Sequence, residues 1–361
     1  MTPQIAAMYG EGESDRMEQM FPMDIRPQSH EIIRTWAFYT MAKSLLHHND
    51  IPWRNIIISG WILDPDRKKM SKSKGNVVTP SDLLERYGTD AVRYWASSAR
   101  LGMDTVVDEK QFKVGSKLVT KLFNAAKFVL MQEGDLGKIT NPLDRAFLRQ
   151  LAASVEQASD HFNNFRFADA LNIIENAFWN HFTDNYIEFV KRRARGDGFP
   201  PAEQGSALTT LHAALATLLR LFAPFIPTIT DEIWSWHFAK LFKRESIHLA
   251  PWPGTGGEGE PLSFYAGGGI ELGDGDGELF ELMCRAIAAV RKAKTEKQIG
   301  LGAEVVLALE VPKRERAILN NALGDLAAAT GAVADNALVM TPSDGKFKVV
   351  DIVSLPDSKN W

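Results

Sequence analysis

Apolar side chains return every three or four residues across most of 109–242, and that spacing gives way to continuous runs or glycine on either side. The helical period predicts amphipathic helices over 109–133, 142–163, 167–194, 204–223 and 228–242. Gly134 to Gly137, Asn163-Asn164, Gly196 to Pro201 and Pro224 to Pro227 break them. Long helices joined by short breaks make an α-helical bundle. Upstream, Ser29 to Leu46 also has helical spacing, with Ile33, Trp36, Ala37 and Thr40 on one side. Asn55-Ile56-Ile57-Ile58-Ser59-Gly60 is instead short, apolar and β-branched, as a buried parallel strand would be. Thr79-Pro80-Ser81-Asp82 reads as a helix start, with Thr79 as cap, Pro80 at the first helical position and Asp82 near the positive end. Residues 1–20 have weak periodicity and read as an irregular lead-in.

Residues 254–277 hold ten glycines, the clearest linker in the chain. After it the pattern predicts a helix (278–297), a strand (303–311), a helix (313–329) and two strands (336–341 and 346–354), a small α/β domain. The expected fold class is therefore mainly α with α/β parts. Helix, buried strand, then a polar loop is the end of a doubly wound sheet, and such sheets bind ligands beyond the carboxyl ends of their strands.

The loop in that place is Lys68-Lys69-Met70-Ser71-Lys72-Ser73-Lys74-Gly75-Asn76. Four lysines spaced by small hydroxyl residues make a mobile cationic turn suited to a polyanion whose charge shifts during a reaction, above all a triphosphate. Ammonium groups that meet the leaving pyrophosphate only in the transition state lower the barrier rather than tighten ground-state binding. Lys69 and Lys72 are the expected phosphate contacts. A solvated lysine turn is the alternative, which the flanking Gly60 to Asp64 and Gly75-Asn76 disfavour. A second basic feature is Lys110, Lys113, Lys117 and Lys121, at intervals that share one side of a helix and could follow an RNA backbone. Arg192 and Arg193 are further candidates for RNA contact, although cations at a helix end are also explained by the helix dipole. A merely solvated face is the alternative for the whole stripe.

Composition narrows this picture only a little. The 361 residues are 45% hydrophobic and 24% charged, with mean hydropathy −0.17 and net charge −4. From Pro65 to Lys127, however, thirteen Lys and Arg face seven Asp and Glu, a local excess of six positive charges. No apolar run approaches the roughly 18 residues of a membrane helix, no signal-peptide pattern opens the chain, and a cytoplasmic setting is expected. The single cysteine, Cys284, excludes an intrachain disulfide and a cysteine-based zinc site. Gly267-Gly268-Gly269 lacks the Lys-Ser/Thr of a phosphate cradle, and Asp274 to Glu278 lacks the spacing of a calcium loop.

Lys69 to Ser73, followed by Gly75-Asn76, matches the KMSKS signature of class I aminoacyl-tRNA synthetases. Asp24 to Trp36 resembles the stretch in which the valyl branch of that family re-enters its nucleotide fold. Ala223 to Trp234 and Pro251-Trp252-Pro253 resemble the end of its anticodon-binding bundle. The resemblance implies a Rossmann-like end at 1–78 carrying the lysine loop, a connecting region at 79–107, the bundle at 108–253, the linker, and the α/β domain at 278–361. It further implies ATP, Mg²⁺, valine and tRNA(Val) as cofactors and partners, with no membrane. The backbone of Met70 and Ser71, with Ser73, would approach ATP, and Asp24, Gln28 and His30 are polar candidates for the adenylate pocket. The family's His-x-Gly-His motif, editing domain and terminal coiled coil are not found, and Thr2-Pro3-Gln4-Ile5 looks like a point well inside a family sequence. Residues 1–361 alone are accordingly expected to be inactive, with 1–60 poorly ordered or aggregation-prone unless the other half of a synthetase covers them. A stand-alone or split tRNA-binding module without catalysis and the equivalent part of an isoleucyl or leucyl enzyme are the alternatives.

Overall fold

The computed structural model describes residues 20–71, 73, 75–254, 276–332, 337–343 and 347–355. They form two compact units: 1–117 with 161–169, and 118–160 with 170–361. This division differs from the boundaries drawn on the sequence, running through Lys117 and keeping the α/β end with the bundle.

In the first unit β1 (Met23–Ser29) pairs in parallel with β2 (Trp53–Ser59), Gln28 opposite Ile58. The crossover between them is helical throughout: a 3-10 turn at His30–Ile32, a π turn at Ile33–Ala37, then α1 (Phe38–His48). Asn49, in the left-handed conformation, ends it. The helix expected from Ser29 thus begins only at His30, and β1 was unforeseen. Its sequence, Met-Asp-Ile-Arg-Pro-Gln-Ser, has no sustained alternation, and its hydrogen-bonding partners lie about thirty residues away.

β2 also departs from expectation, because of its three isoleucines only Ile57 is buried and Ile56 is 41% exposed. Trp36, Phe38, Tyr39 and Leu46 on the crossover are likewise exposed. Parallel strands are ordinarily covered on both faces, and here one β-α-β layer is bare.

The rest of the unit packs well. β3 (Ile62–Leu63) pairs in parallel with β4 (Thr105–Val106), and α2 (Pro80–Tyr87) and α3 (Thr89–Ser97) follow the lysine loop. Leu83, Trp95, Val107 and Phe112 form a buried cluster, with Met70, Val78, Tyr87 and Val92 packed against it. Pro80 does open α2, but Thr79 makes no backbone cap. Its hydroxyl donates to Asp82 Oδ2 at 2.9 Å instead.

α4 (Glu109–Leu130) belongs to the first unit up to Lys117 and to the second from Leu118. The second unit continues with α5 (Pro142–Asn163), α6 (Phe167–Asn176), a π-helical stretch (Ala177–Tyr186), α7 (Ile187–Ala194), α8 (Pro201–Phe222) and α9 (Pro227–Phe242). The single helix expected over 167–194 is therefore three abutting segments. α8 is the bundle's centre, buried on every side from Gly205 to Phe222. It is long and apolar enough to cross a membrane by composition, which corrects the sequence reading, yet 94% of that window is buried inside the protein. Trp234 fills the core beside the proline turn, wholly buried, its indole donating to the Arg244 carbonyl at 3.0 Å.

Beyond the glycine-rich stretch, α10 (Asp276–Glu296) leads to a sheet of order β6-β5-β7, built from β5 (Val305–Pro312), β6 (Leu338–Ser343) and β7 (Lys348–Ser354). β6 is parallel and β7 antiparallel to β5. The helix expected over 313–329 is broken by a 3-10 turn into α11 (Lys313–Leu319) and α12 (Leu323–Thr330). Most of the linker expected at 254–277, with Gly267 to Gly269 and Asp274-Gly275, lies outside the described residues.

One buried network ties this end to the bundle. Arg193, at 0% exposure, donates through Nη2 and Nη1 to Asp144 at 2.6 and 2.8 Å and through Nε to Asp325 Oδ1 at 2.9 Å. Asp144 also accepts from Tyr186 (2.7 Å) and Ser206 (2.6 Å). Burial pushes the Asp325 carboxyl up to about 6, with Arg193 opposing and Asp144 and Glu203 reinforcing the rise. Asp325 therefore keeps its proton when folded over a range where the unfolded chain has lost it. The stability it contributes is full below about pH 4 and disappears as pH rises through about 6, by at most about 3 kcal/mol. The difference in unfolding free energy between wild type and Asp325→Asn, measured by urea titration from pH 4 to 7, is expected to track that loss. A pH-independent difference would remove this assignment.

Candidate nucleotide and RNA sites

The lysine loop leaves the carboxyl end of β2 through Gly60, where an added Cβ would fall 2.3 Å from the Met103 carbonyl oxygen. Only glycine allows the 101–104 backbone so close. Trp61 N–H then donates to Asp104 Oδ1 at 2.8 Å, and β3 pairs with β4. The loop closes on Asp64, whose Oδ1 accepts from Lys68 N–H (2.7 Å) and whose Oδ2 accepts from Asn76 Nδ2 (2.7 Å). Those donors hold the buried Asp64 carboxyl below the usual carboxylate range. Asn76 in turn accepts from Ser71 N–H at 3.0 Å, and Gly75 adopts the left-handed conformation that turns the chain back. Met70 anchors the loop in the Leu83 cluster.

The base of the loop is thus stapled at both ends. On the sequence Asp64 and Asn76 stand only as flanks of the lysine run, with no bond between them expected. The signal was available in their positions, one polar residue at each border of a lysine run.

Lys69 is engaged on two sides. Its ammonium pairs with Glu31 and sits over the Trp61 ring, 4.5 Å from the centroid. The pair with Lys69 holds Glu31 below the usual carboxylate range. His30 lies against Trp61 at 4.9 Å, with Nδ1 3.3 Å from the Ser59 carbonyl oxygen. Gln28, at the same end of β1, is buried, and neither polar atom of its amide has a hydrogen-bond partner among the described residues. The neighbouring Ser29 hydroxyl is in the same condition. Orphaned buried groups cost about 1–3 kcal/mol each, and these two directly precede His30 and Glu31, the latter paired with Lys69. Ser73 Oγ lies 2.7 Å from Ser71 Oγ. Lys72 lies outside the described residues.

Asp24 does not join them. It stands at the opposite end of β1, about 16 Å from Ser29 at strand rise, and pairs with Arg54 at 3.5 Å. The sequence grouped it with Gln28 and His30 because the intervening residues were not recognised as a strand.

Along α4, Lys110, Lys113 and Lys117 are exposed on the side opposite the buried Phe112, Gly115, Leu118, Leu122 and Ala126. Lys121 is half-buried, 3.5 Å from Asp184 and over the Trp179 ring. Phe123 is 39% exposed and stands edge-on to Trp236. Arg192 is half-buried, but Arg193 is corrected outright: its guanidinium is sealed against Asp144 and Asp325 and meets no external phosphate. The buried seam of α7 runs through Phe189, Val190, Arg193 and Ala194, so helical phase already placed Arg193 inward. Among the described residues, no three Asp, Glu, His or Cys side chains gather as a metal site.

Comparison with known proteins agrees with this arrangement. The family model described as "tRNA synthetases class I (I, L, M and V)" matches residues 2–108, and "Anticodon-binding domain of tRNA ligase" matches 144–310. The chain is 43% identical over 366 residues to the valine–tRNA ligase of Thermobifida fusca, covering 99% of this chain and 39% of that protein. It is 45% identical over 316 residues to that of Salinispora tropica, covering 84% and 36% respectively. The chain therefore spans about two fifths of the length of these relatives. Mycobacterium tuberculosis methionyl-tRNA synthetase in complex with methionyl-adenylate shares the fold, at TM-score 0.51 and 22% identity over 64% of this chain and 47% of that one.

Proposed function

Because the chain belongs to the class I tRNA synthetases, we propose that it forms the part of a valine–tRNA ligase that grips the pyrophosphate of ATP and holds tRNA(Val). The observation that carries the reading is the stapled lysine turn at the carboxyl end of β2, beside the orphaned Gln28 and the His30–Trp61 pair. Valine attacks the α-phosphate, and charge accumulates on the departing pyrophosphate. Asp64 and Asn76 fix the base of the turn, and Lys69 swings onto that charge late, which places the gain in the transition state. Lys69 must leave Glu31 and Trp61 to do so. Mg²⁺ would neutralise phosphate charge in the family reaction, and no residue described in this chain is assigned to hold it.

Residues 1–361 by themselves are proposed to be inactive in valine activation, since Ile56, Trp36 and Leu46 of the β1–β2 layer and its crossover are left exposed. Valine-dependent ATP–pyrophosphate exchange should be absent from this polypeptide and appear when the remainder of a valine–tRNA ligase is supplied. Turnover by the polypeptide alone would refute that dependence.

RNA binding is assigned to the exposed side of α4. Changing Lys113 and Lys117 together to Glu should weaken tRNA(Val) binding by roughly tenfold to a hundredfold and flatten its salt dependence. Affinity unmoved in a filter-binding titration would return the stripe to a solvated face.

A further inference from the structure

The second unit contains a cavity of about 720 Å³ between the π-helical stretch with α7 on one side and α10, residues 301–304 and the end of α12 on the other. Ten charged side chains line it, six cations and four carboxylates, an excess of two positive charges. Two pairs neutralise each other: Lys121 with Asp184 at 3.5 Å and Lys191 with Glu188 at 2.6 Å. Arg192, Arg195, Arg291 and Lys294 have no carboxylate partner among the described residues. Asp197 and Glu304 are the carboxylates left to oppose them.

Lys294 is the telling member. It is 1% exposed, and among the described residues its ammonium donates only to the carbonyls of Leu301 (3.0 Å) and Ala303 (2.8 Å). The site is built around it. Gly331, at φ 80°, leaves space that a Cβ would fill 2.6 Å from the Ala303 oxygen and 3.4 Å from the Lys294 nitrogen. Arg291 spends one nitrogen on the Asp184 carbonyl, at 2.9 Å. The helix dipole accounts for Arg192 and Arg195 at the end of α7 and for Lys294 in the last turn of α10, but not for Arg291, which sits further inside α10. A buried ammonium without a counter-ion is costly, and a concave wall of like charge focuses the potential onto an incoming anion.

We propose that this cavity binds a nucleotide: its phosphate among Arg291, Lys294 and Arg195, its base against the apolar wall of Ile287, Val290 and Leu301. The volume suits one ligand of that size, and a phosphate dianion matches the excess charge. The nucleotide is either free or part of an RNA chain. The free form is independent of the ligase reading, and the RNA form rests on the proposed tRNA binding.

Isothermal titration of residues 1–361 with AMP, adenosine and a tRNA transcript tests the assignment. AMP is expected to bind saturably and adenosine at least about tenfold more weakly, because the charge-assisted contacts go to phosphate. Arg291→Gln and Arg195→Ser should each weaken AMP about tenfold, while Lys348→Gln, exposed on β7, leaves it unchanged. Should AMP fail to saturate while the same two variants weaken the transcript as strongly, the occupant is a nucleotide within RNA. Circular dichroism of each variant guards against misfolding. AMP binding lost in Lys69→Ala but kept in both cavity variants overturns the proposal and leaves the lysine-loop reading intact. Indifference of both AMP and RNA to the cavity variants overturns it as well.

Discussion

Asp144→Ala is expected to cost the second unit about 3–5 kcal/mol of unfolding free energy, the range seen when one partner of a buried ion pair is removed. Asp144 accepts two bonds from Arg193, one from Tyr186 and one from Ser206, with no solvent reaching the pair. Its loss strands a guanidinium, a phenol and a hydroxyl at once. Burial and the Asp144 charge hold the Tyr186 phenol well above its ordinary value, so it stays neutral and cannot compensate. Combining Arg193→Met with Asp144→Leu should recover a large part of the loss at pH 5, where Asp325 is mostly protonated, because an apolar pair of similar volume carries no desolvation penalty. Urea unfolding monitored by tryptophan fluorescence reads both. A cost below about 1 kcal/mol for Asp144→Ala would mean the network is solvated.

The second large effect concerns rate. In an assembly competent for valine-dependent exchange, Lys69→Ala and Lys72→Ala should each lower kcat by about 10²–10³ while changing the KM for ATP by less than about tenfold. The asymmetry follows from Lys69 resting on Glu31 and Trp61 before the reaction, so that its phosphate contact is made late. Glu31→Gln releases that resting contact and should tighten ATP binding without raising kcat. Parallel losses in kcat and kcat/KM support the swing. An effect confined to KM would make the lysines ground-state ligands and defeat it.

Several parts of the molecule were legible residue by residue. The helices at 109–130, 142–163, 201–222 and 227–242 followed from apolar spacing to within a few residues, and Pro80 marked a true helix start. The lysine run and its Gly-Asn closure were recognisable because both are contiguous. β1 was not, since a strand is stabilised by its neighbour and Met23 to Ser29 carries no pattern of its own. The same cause misplaced Asp24, which sits four residues from Gln28 in sequence and a strand's length from the loop in space.

Local chemistry by itself determined the helical bundle, the cationic turn and the solvent-facing lysines of α4, because each depends on residues within a few turns of one another. Helical phase turns Arg193 inward, but tertiary structure alone decided which carboxylates rivet it, that the α/β end fuses with the bundle, and that Ile56 is left uncovered. The carboxylates that claim Arg193 lie 49 and 132 residues away. A charge's role is set by what the fold brings against it, and that proximity is written in no short stretch of the chain.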